Sequence, residues 1–164
     1  MTSTDPPGAT PAAASVAIRP AAAADEPAIR ACAAQAFARY VPLIGRRPAP
    51  MDANFAAQIA AGEIRVAADP AGALQGYVAF RAEPPAMLLD AVAVLPAAAG
   101  RGVGKALIAA CEAAARRLAL AEVRLYTNER MTSNLAMYPR LGYVETARHT
   151  EDGFSRVYFR KPLD

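Results

Sequence analysis

The sequence is short of the residues that most often mark a site. It holds one histidine, His149, and two cysteines, Cys32 and Cys111, far apart and in no CxxC pair. Both cysteines sit among alanines, so they read as small buried apolar residues, and neither a disulfide nor a metal site is predicted. A lone histidine late in a strand reads as a hydrogen-bonded structural imidazole. No run of lysine or arginine is dense enough for a nucleic-acid patch, and the net charge is only +3. No apolar run approaches the roughly 20 residues a membrane helix needs. The opening stretch MTSTDPPGATPAAAS lacks the basic start and leucine-rich core of a signal peptide. Nothing in it buries enough surface to offset its ordering entropy, so residues 1–15 are expected to be a disordered tail and 16–164 one domain. Together these absences predict a soluble, cytoplasmic protein with neither nucleic-acid nor membrane partners. A homodimer is left open.

What is present is a chain 54% hydrophobic and 20% charged, enough for one sizeable core. SVAIRP reads as a short first strand, and Ile29, Cys32, Ala33, Ala36 and Phe37 recur at helical spacing after it. VPLIGRRPAPMDANF reads as a stiff loop of unusual length, followed by a helix over residues 53–60. EIRVAAD and LQGYVAFRA, parted by PAG, form a hairpin signature; MLLDAVAVLP is a further apolar strand closed by Pro96. A helix follows with Val103, Leu107, Ile108, Cys111, Ala115 and Leu118 on one stripe, and Lys105, Glu112 and Arg116 on its wetter side. AEVRLYTN is a strand, SNLAMYPRL a short helix ended by Gly142, and YVETARH and FSRVYFRKP a final pair of strands. Strands outnumber helices and only one strand–helix–strand passage looks parallel. The fold class is therefore α/β in the α+β sense: one mixed, mostly antiparallel sheet of about six to seven strands flanked by about four helices.

Between the apolar strand and its helix stands AAAGRGVGKA, with glycines at 100, 102 and 104. A Walker phosphate loop needs a glycine where Ala99 stands and a hydroxyl where Ala106 stands, so that reading fails twice. A dinucleotide fingerprint lacks its third glycine. A plain turn needs one glycine, not three in alternation. The amides of this stretch lie at a helix N-terminus, where donors lack intrahelical partners and the dipole is positive. Such a place suits a diphosphate.

The stretch resembles the acetyl-CoA loop of the GNAT family of N-acetyltransferases, Arg/Gln-x-x-Gly-x-Gly/Ala after a strand ending in Val-x-Pro-like residues. Val92-Ala93-Val94-Leu95-Pro96 ends the strand, and Ala99, Gly100, Arg101, Gly102, Val103 and Gly104 fall on the loop, with alanine at 99 in place of the usual arginine or glutamine. Downstream, Tyr138, Gly142 and Tyr143 match the family's last motif; Met131 stands where asparagine is common, and Asn134, one turn before Tyr138, is a shifted candidate for its contact.

The resemblance implies acetyl transfer from acetyl-CoA to a primary amine of a small molecule or peptide, by direct attack in a ternary complex. Val92 and Val94 would pair their backbones with the pantetheine arm, the Val94 region giving the oxyanion donor. Arg101 and Lys105 would add charge near the phosphates, and Tyr138 would protonate the departing thiolate. Asp90, on the face of Val92 and Val94 by strand alternation, is the candidate base. Tyr40, Arg46 and Arg47 in the long loop are candidates for acceptor recognition, because arginine forks onto carboxylates. The competing class is an acyl-CoA-binding sensor without catalysis.

Overall fold

The computed structural model describes residues 16–164; the expected tail, residues 1–15, lies outside the described residues. Seven strands form one sheet: β1 (Ala17–Pro20), β2 (Ile64–Ala68), β3 (Leu74–Glu83), β4 (Ala86–Val94), β5 (Glu122–Asn128), β6 (Val144–Glu151) and β7 (Phe154–Pro162). They lie in the order β1-β2-β3-β4-β5-β7-β6, and every neighbouring pair is antiparallel except β4–β5. Hairpin-linked neighbours run antiparallel, whereas β4 and β5 are joined through a helix that returns the chain to the same end of the sheet. Five helices flank the sheet: α1 (Glu26–Phe37), α2 (Val41–Ile44), α3 (Phe55–Ala60), α4 (Val103–Arg117) and α5 (Thr132–Arg140). The expected mixed sheet with helices on its faces is what the chain forms.

One expectation changes in kind. The stretch anticipated as a long, stiff loop after Tyr40 contains α2 and a 3-10 turn over Ala49–Asp52. Pro42 sits in the first turn of α2, where its missing N–H costs nothing, and Gly45 at φ 86° ends it.

The sheet separates two apolar layers. On one face, Val103, Leu107, Ile108 and Cys111 of α4 pack with Val78, Phe80, Met87, Leu89, Val123 and Val157. On the other, Ile29, Cys32, Ala33 and Phe37 of α1 and Phe55 of α3 cover Ile64, Val66, Tyr77, Ala79 and Ala93. Both cysteines are fully buried free thiols, as expected. Gly76 on β3 lets α4 come close: a Cβ there would meet Ala93 O at 2.6 Å and Leu107 Cδ1 at 3.1 Å.

Glu112 departs from its expected place on the wet side of α4. It is buried, accepts from Lys161 Nζ at 2.7 Å and from the Tyr143 hydroxyl at 3.1 Å, and leaves Arg116 to Asp164. A buried carboxylate needs such partners, and Lys161 supplies the opposite charge from β7.

Candidate active site

The parallel seam between β4 and β5 is paired over three residues only: Ala86 with Glu122, Met87 with Val123 and Leu88 with Arg124. Beyond them both strands continue, β4 to Val94 and β5 to Asn128, without pairing each other. The cause is visible in the register. β4 bulges: Ala91 pairs with Ala79 and Leu89 with Phe80, so Asp90 has no partner of its own. A bulge bends its strand, while β5 stays paired to β7 as far as Asn128 with Arg156. Two strand edges therefore face each other across an open slot, each with backbone donors and acceptors that a strand-like ligand can meet.

The bulge also corrects the expectation for Asp90. Alternation would place it with Val92 and Val94, but these pack toward the α4 layer, whereas Asp90 pairs with Arg81 at 2.5 Å beside the α1 layer's Ala91. One extra residue has inverted the phase of the strand. Burial raises the pKa of Asp90, with the Arg81 guanidinium pulling the other way and Glu63 and Glu83 adding to the rise.

At the end of β4 the chain makes a 3-10 turn, Pro96–Ala98, then passes Ala99 and the glycines into α4. Gly100 and Gly102 have φ of 77° and 79°, which a side chain would resist. None of the N–H groups from Gly100 to Lys105 finds a backbone or side-chain acceptor among the described residues; the first helical bond is Ala106 N–H to Gly102 O. Six consecutive donors in the loop and first turn of α4 are thus left without a partner among the described residues. Val103 is buried beneath them, while Arg101 and Lys105 are exposed beside them. Donors and dipole together suit a pyrophosphate.

A cavity of about 320 Å³ is lined by both strand edges and by Phe37 of α1 and Phe55 and Gln58 of α3. Tyr138, Asn134 and Met131 of the α5 region form one wall, Tyr126–Asn128 of β5 another, and Leu89–Val92 of β4 a third. Asn134 Nδ2 donates to Thr127 Oγ1 at 3.1 Å, which ties α5 to β5. Tyr138 is 3% exposed and packs its ring against Tyr143 and Phe159 at centroid distances of 5.5 and 5.7 Å. Its backbone is fixed by the tight end of α5, where its carbonyl accepts from Leu141 and Tyr143 N–H and Gly142 turns at φ 95°. Pro139 is accommodated within that last turn. Burial raises the Tyr138 pKa, so the hydroxyl stays protonated throughout the neutral range.

Tyr40, Arg46 and Arg47 are not brought to the cavity wall, although their loop contributes Ile44 and Pro48–Pro50. Tyr40 is buried in the α1 layer with its hydroxyl accepting from Arg39 at 2.6 Å. Arg46 donates to Asp152 O at 2.8 Å and stacks 4.0 Å over Phe154. Arg47 makes an exposed pair with Asp52 at 3.0 Å. The guanidinia at the wall are Arg81 and Arg156, which the motifs did not single out. A signal existed: in FSRVYFRKP, alternation sets Phe154, Arg156 and Tyr158 on one face, opposite the apolar Val157 and Phe159. His149 is half-exposed, stacked on Tyr158 and bonded to Glu151, a hydrogen-bonded imidazole as expected.

A model of the acetyltransferase (GNAT) family matches residues 33–143. A curated mycothiol acetyltransferase of Salinispora arenicola is 40% identical over 90 residues, which cover 51% of this chain and 29% of that protein; the chain thus matches less than a third of that relative's length. Among solved structures, PaiA N-acetyltransferase from Thermoplasma acidophilum, in complex with coenzyme A, superposes with a TM-score of 0.77 at 15% identity over 91% of this chain and 99% of that one. A phosphinothricin acetyltransferase from Sinorhizobium meliloti, in complex with AcCoA, gives 0.71 at 22% over 90% and 88%. At such identities the likeness of the two structures speaks for the fold.

Proposed function

The chain belongs to the acetyltransferase (GNAT) family, and from that premise we propose that it moves an acetyl group from acetyl-CoA to a primary amine bound in the cavity. The observation that carries the reading is the row of unpartnered amides from Gly100 to Lys105 beside the parted ends of β4 and β5. Diphosphate on the amides and a pantetheine arm in the slot would satisfy both sets of backbone groups. When bound, the coenzyme supplies an activated thioester.

The chain's own residues do the rest. Val92 and Val94 present backbone along the slot, with the Val94 region as oxyanion donor. Arg101 and Lys105 add positive charge at the phosphates; Ala99 offers only backbone, and Asn134 lines the slot. Tyr138 gives its hydroxyl proton to the sulfur as the C–S bond breaks, and the attacking amine loses its extra proton to Asp90 or to water. No side chain carries the acyl group, which agrees with both cysteines being buried away from the slot. The protonated Tyr138 at the cavity wall favours a catalyst over a sensor.

The test is thiol release from acetyl-CoA across a panel of amines, run beside calorimetry with coenzyme A. The reading expects turnover with at least one amine, and coenzyme A binding that weakens when Gly102→Val crowds the loop. No heat with coenzyme A would overturn it; binding without turnover on any amine would turn it toward a sensor. Because the Asp90 pKa is raised, its ionisation as pH rises comes above the usual carboxylate range. The acid limb of kcat/KM should lie there in the native enzyme and disappear in Asp90→Asn.

A further inference from the structure

We propose that the acceptor is an amine bearing its own carboxylate, gripped by Arg156, with an apolar portion against Phe37, Ile44 and Phe55. This rests on the acetyl-transfer reading above and narrows it to a substrate class, that of α-amino acids with apolar side chains.

Arg156 is the cation at the cavity wall that is held in place yet weakly paired. Its side chain is 11% exposed, and its guanidinium lies 4.3 Å over the Tyr126 ring. A guanidinium offers five N–H donors in a plane. Here Nη1 donates at 2.8 Å to Glu151 Oε2, the Tyr158 hydroxyl lies close by and Phe154 is a second ring at 5.6 Å, so Glu151 is its one ionic partner among the described residues. Glu151 is a poor permanent partner: its side chain is 47% exposed and its other oxygen meets His149 Nε2 at 2.8 Å. A mostly buried cation gains from a better-placed anion, and a planar fork on an aromatic ring is shaped for a bidentate carboxylate. Arg81, the other guanidinium at the wall, is already engaged by Asp90 at 2.5 Å and Glu83 at 3.5 Å.

Two buried polar atoms beside the cavity agree with a ligand that carries polar groups, although Glu122 Oε2 and the Tyr158 hydroxyl, away from its wall, are likewise without a partner. The Tyr77 hydroxyl and Gln58 Oε1 both belong to wall residues, are buried, and have no hydrogen-bond partner; Tyr77 itself is 1% exposed. Buried polar atoms are rarely left so. Around them the wall is apolar, with Phe37, Ile44 and Phe55. The cavity thus offers a cation for a carboxylate and apolar surface for a side chain, with Asp90, paired to Arg81, at the same wall.

Three matched pairs test the assignment: L-phenylalanine, L-leucine and L-methionine, each against the amine left by removing its carboxyl group, with an alanine-terminated peptide amide as a further arm. Calorimetry with coenzyme A runs alongside. The native enzyme should favour the carboxylate member of at least one pair by tenfold or more in kcat/KM. Arg156→Met should lower that member's kcat/KM by about 100-fold, the size expected for losing hydrogen bonds between charged groups. It should leave the decarboxylated amine and coenzyme A binding unchanged. Glu151→Gln removes the competing anion and should raise kcat/KM for the carboxylate member by about threefold, the scale of an exposed ion pair; a purely structural Arg156–Glu151 pair would lose activity in both variants. Equal rates within every pair, preference for the peptide amide, or no turnover of any carboxylate member overturns the assignment. The acetyl-transfer reading survives those outcomes if coenzyme A binds and some other amine turns over, and fails separately if coenzyme A does not bind.

Discussion

The two faces of the sheet are built to different standards. Beneath α4 the layer is closed: Leu107, Ile108 and Cys111 have essentially no exposure, and Glu112, its one carboxylate, is met by both Lys161 and Tyr143. Beneath α1 and α3 the layer is open, holding the cavity, two unpartnered polar atoms and a guanidinium with one ionic partner. The same strands serve both, since residues of β3 and β4 alternate between the two faces except at the Asp90 bulge. The lesson is a division of labour across a single sheet. One face is packed closed, while the other leaves polar groups unpaired beside a cavity.

Equal truncations on the two faces should break this comparison if it is wrong. Leu107→Ala should cost about 4 kcal/mol in urea unfolding, because a fully packed site leaves a void, whereas Ile44→Ala at the cavity should cost under about 1.5 kcal/mol and act mainly on the acceptor's KM. Similar losses at the two sites would erase the distinction. Next in size is Lys161→Met, which strands Glu112 without its cation; about 3 kcal/mol of stability should go, and the double variant Lys161→Met with Glu112→Leu should recover much of it. Tyr138→Phe sharpens the other side. It should lower kcat by about 100-fold while the unfolding midpoint stays within error, since only one hydroxyl of a cavity-wall residue is removed.

The smallest expected effect belongs to neither face. Arg19 donates to Asp25 at 2.7 and 2.9 Å and the Ala22 N–H adds a third bond, holding the Asp25 carboxyl down from 3.8 to about 2. A lowered carboxylate pKa stabilises the fold above pH 3.8 and loses that contribution as pH falls toward 2. With Arg19 half-exposed the amount is below about 1 kcal/mol. Asp25→Asn should therefore flatten the pH dependence of the urea midpoint between pH 5 and 2 and change little at neutrality.

Much of the molecule was legible because its signals are local. Alternation and turn residues marked the strands; the Asp152-Gly153 turn and the glycines before α4 sit where the sequence placed them, at positive φ. The glycine loop before α4 and Tyr138 stood out as motifs of the family. What escaped depends on residues distant in the chain or on a one-residue slip. Nothing in MLLDAVAVLP announces the extra residue that turns Asp90 away from Val92 and Val94. Glu112 reads as solvated until Lys161, 49 residues on, is seen beside it. Arg46 and Arg47 looked available because the turn that takes Arg46 and the carboxylate that takes Arg47 carry no sequence mark of their own.

The short seam between β4 and β5 has one more consequence. On the acetyl-transfer reading, the amide row at the head of α4 and the cavity under α1 would take different reactants from different sides of the seam. Each could then arrive and depart without blocking the other's exit, and their order of addition would be set by how one occupant tunes the other's affinity.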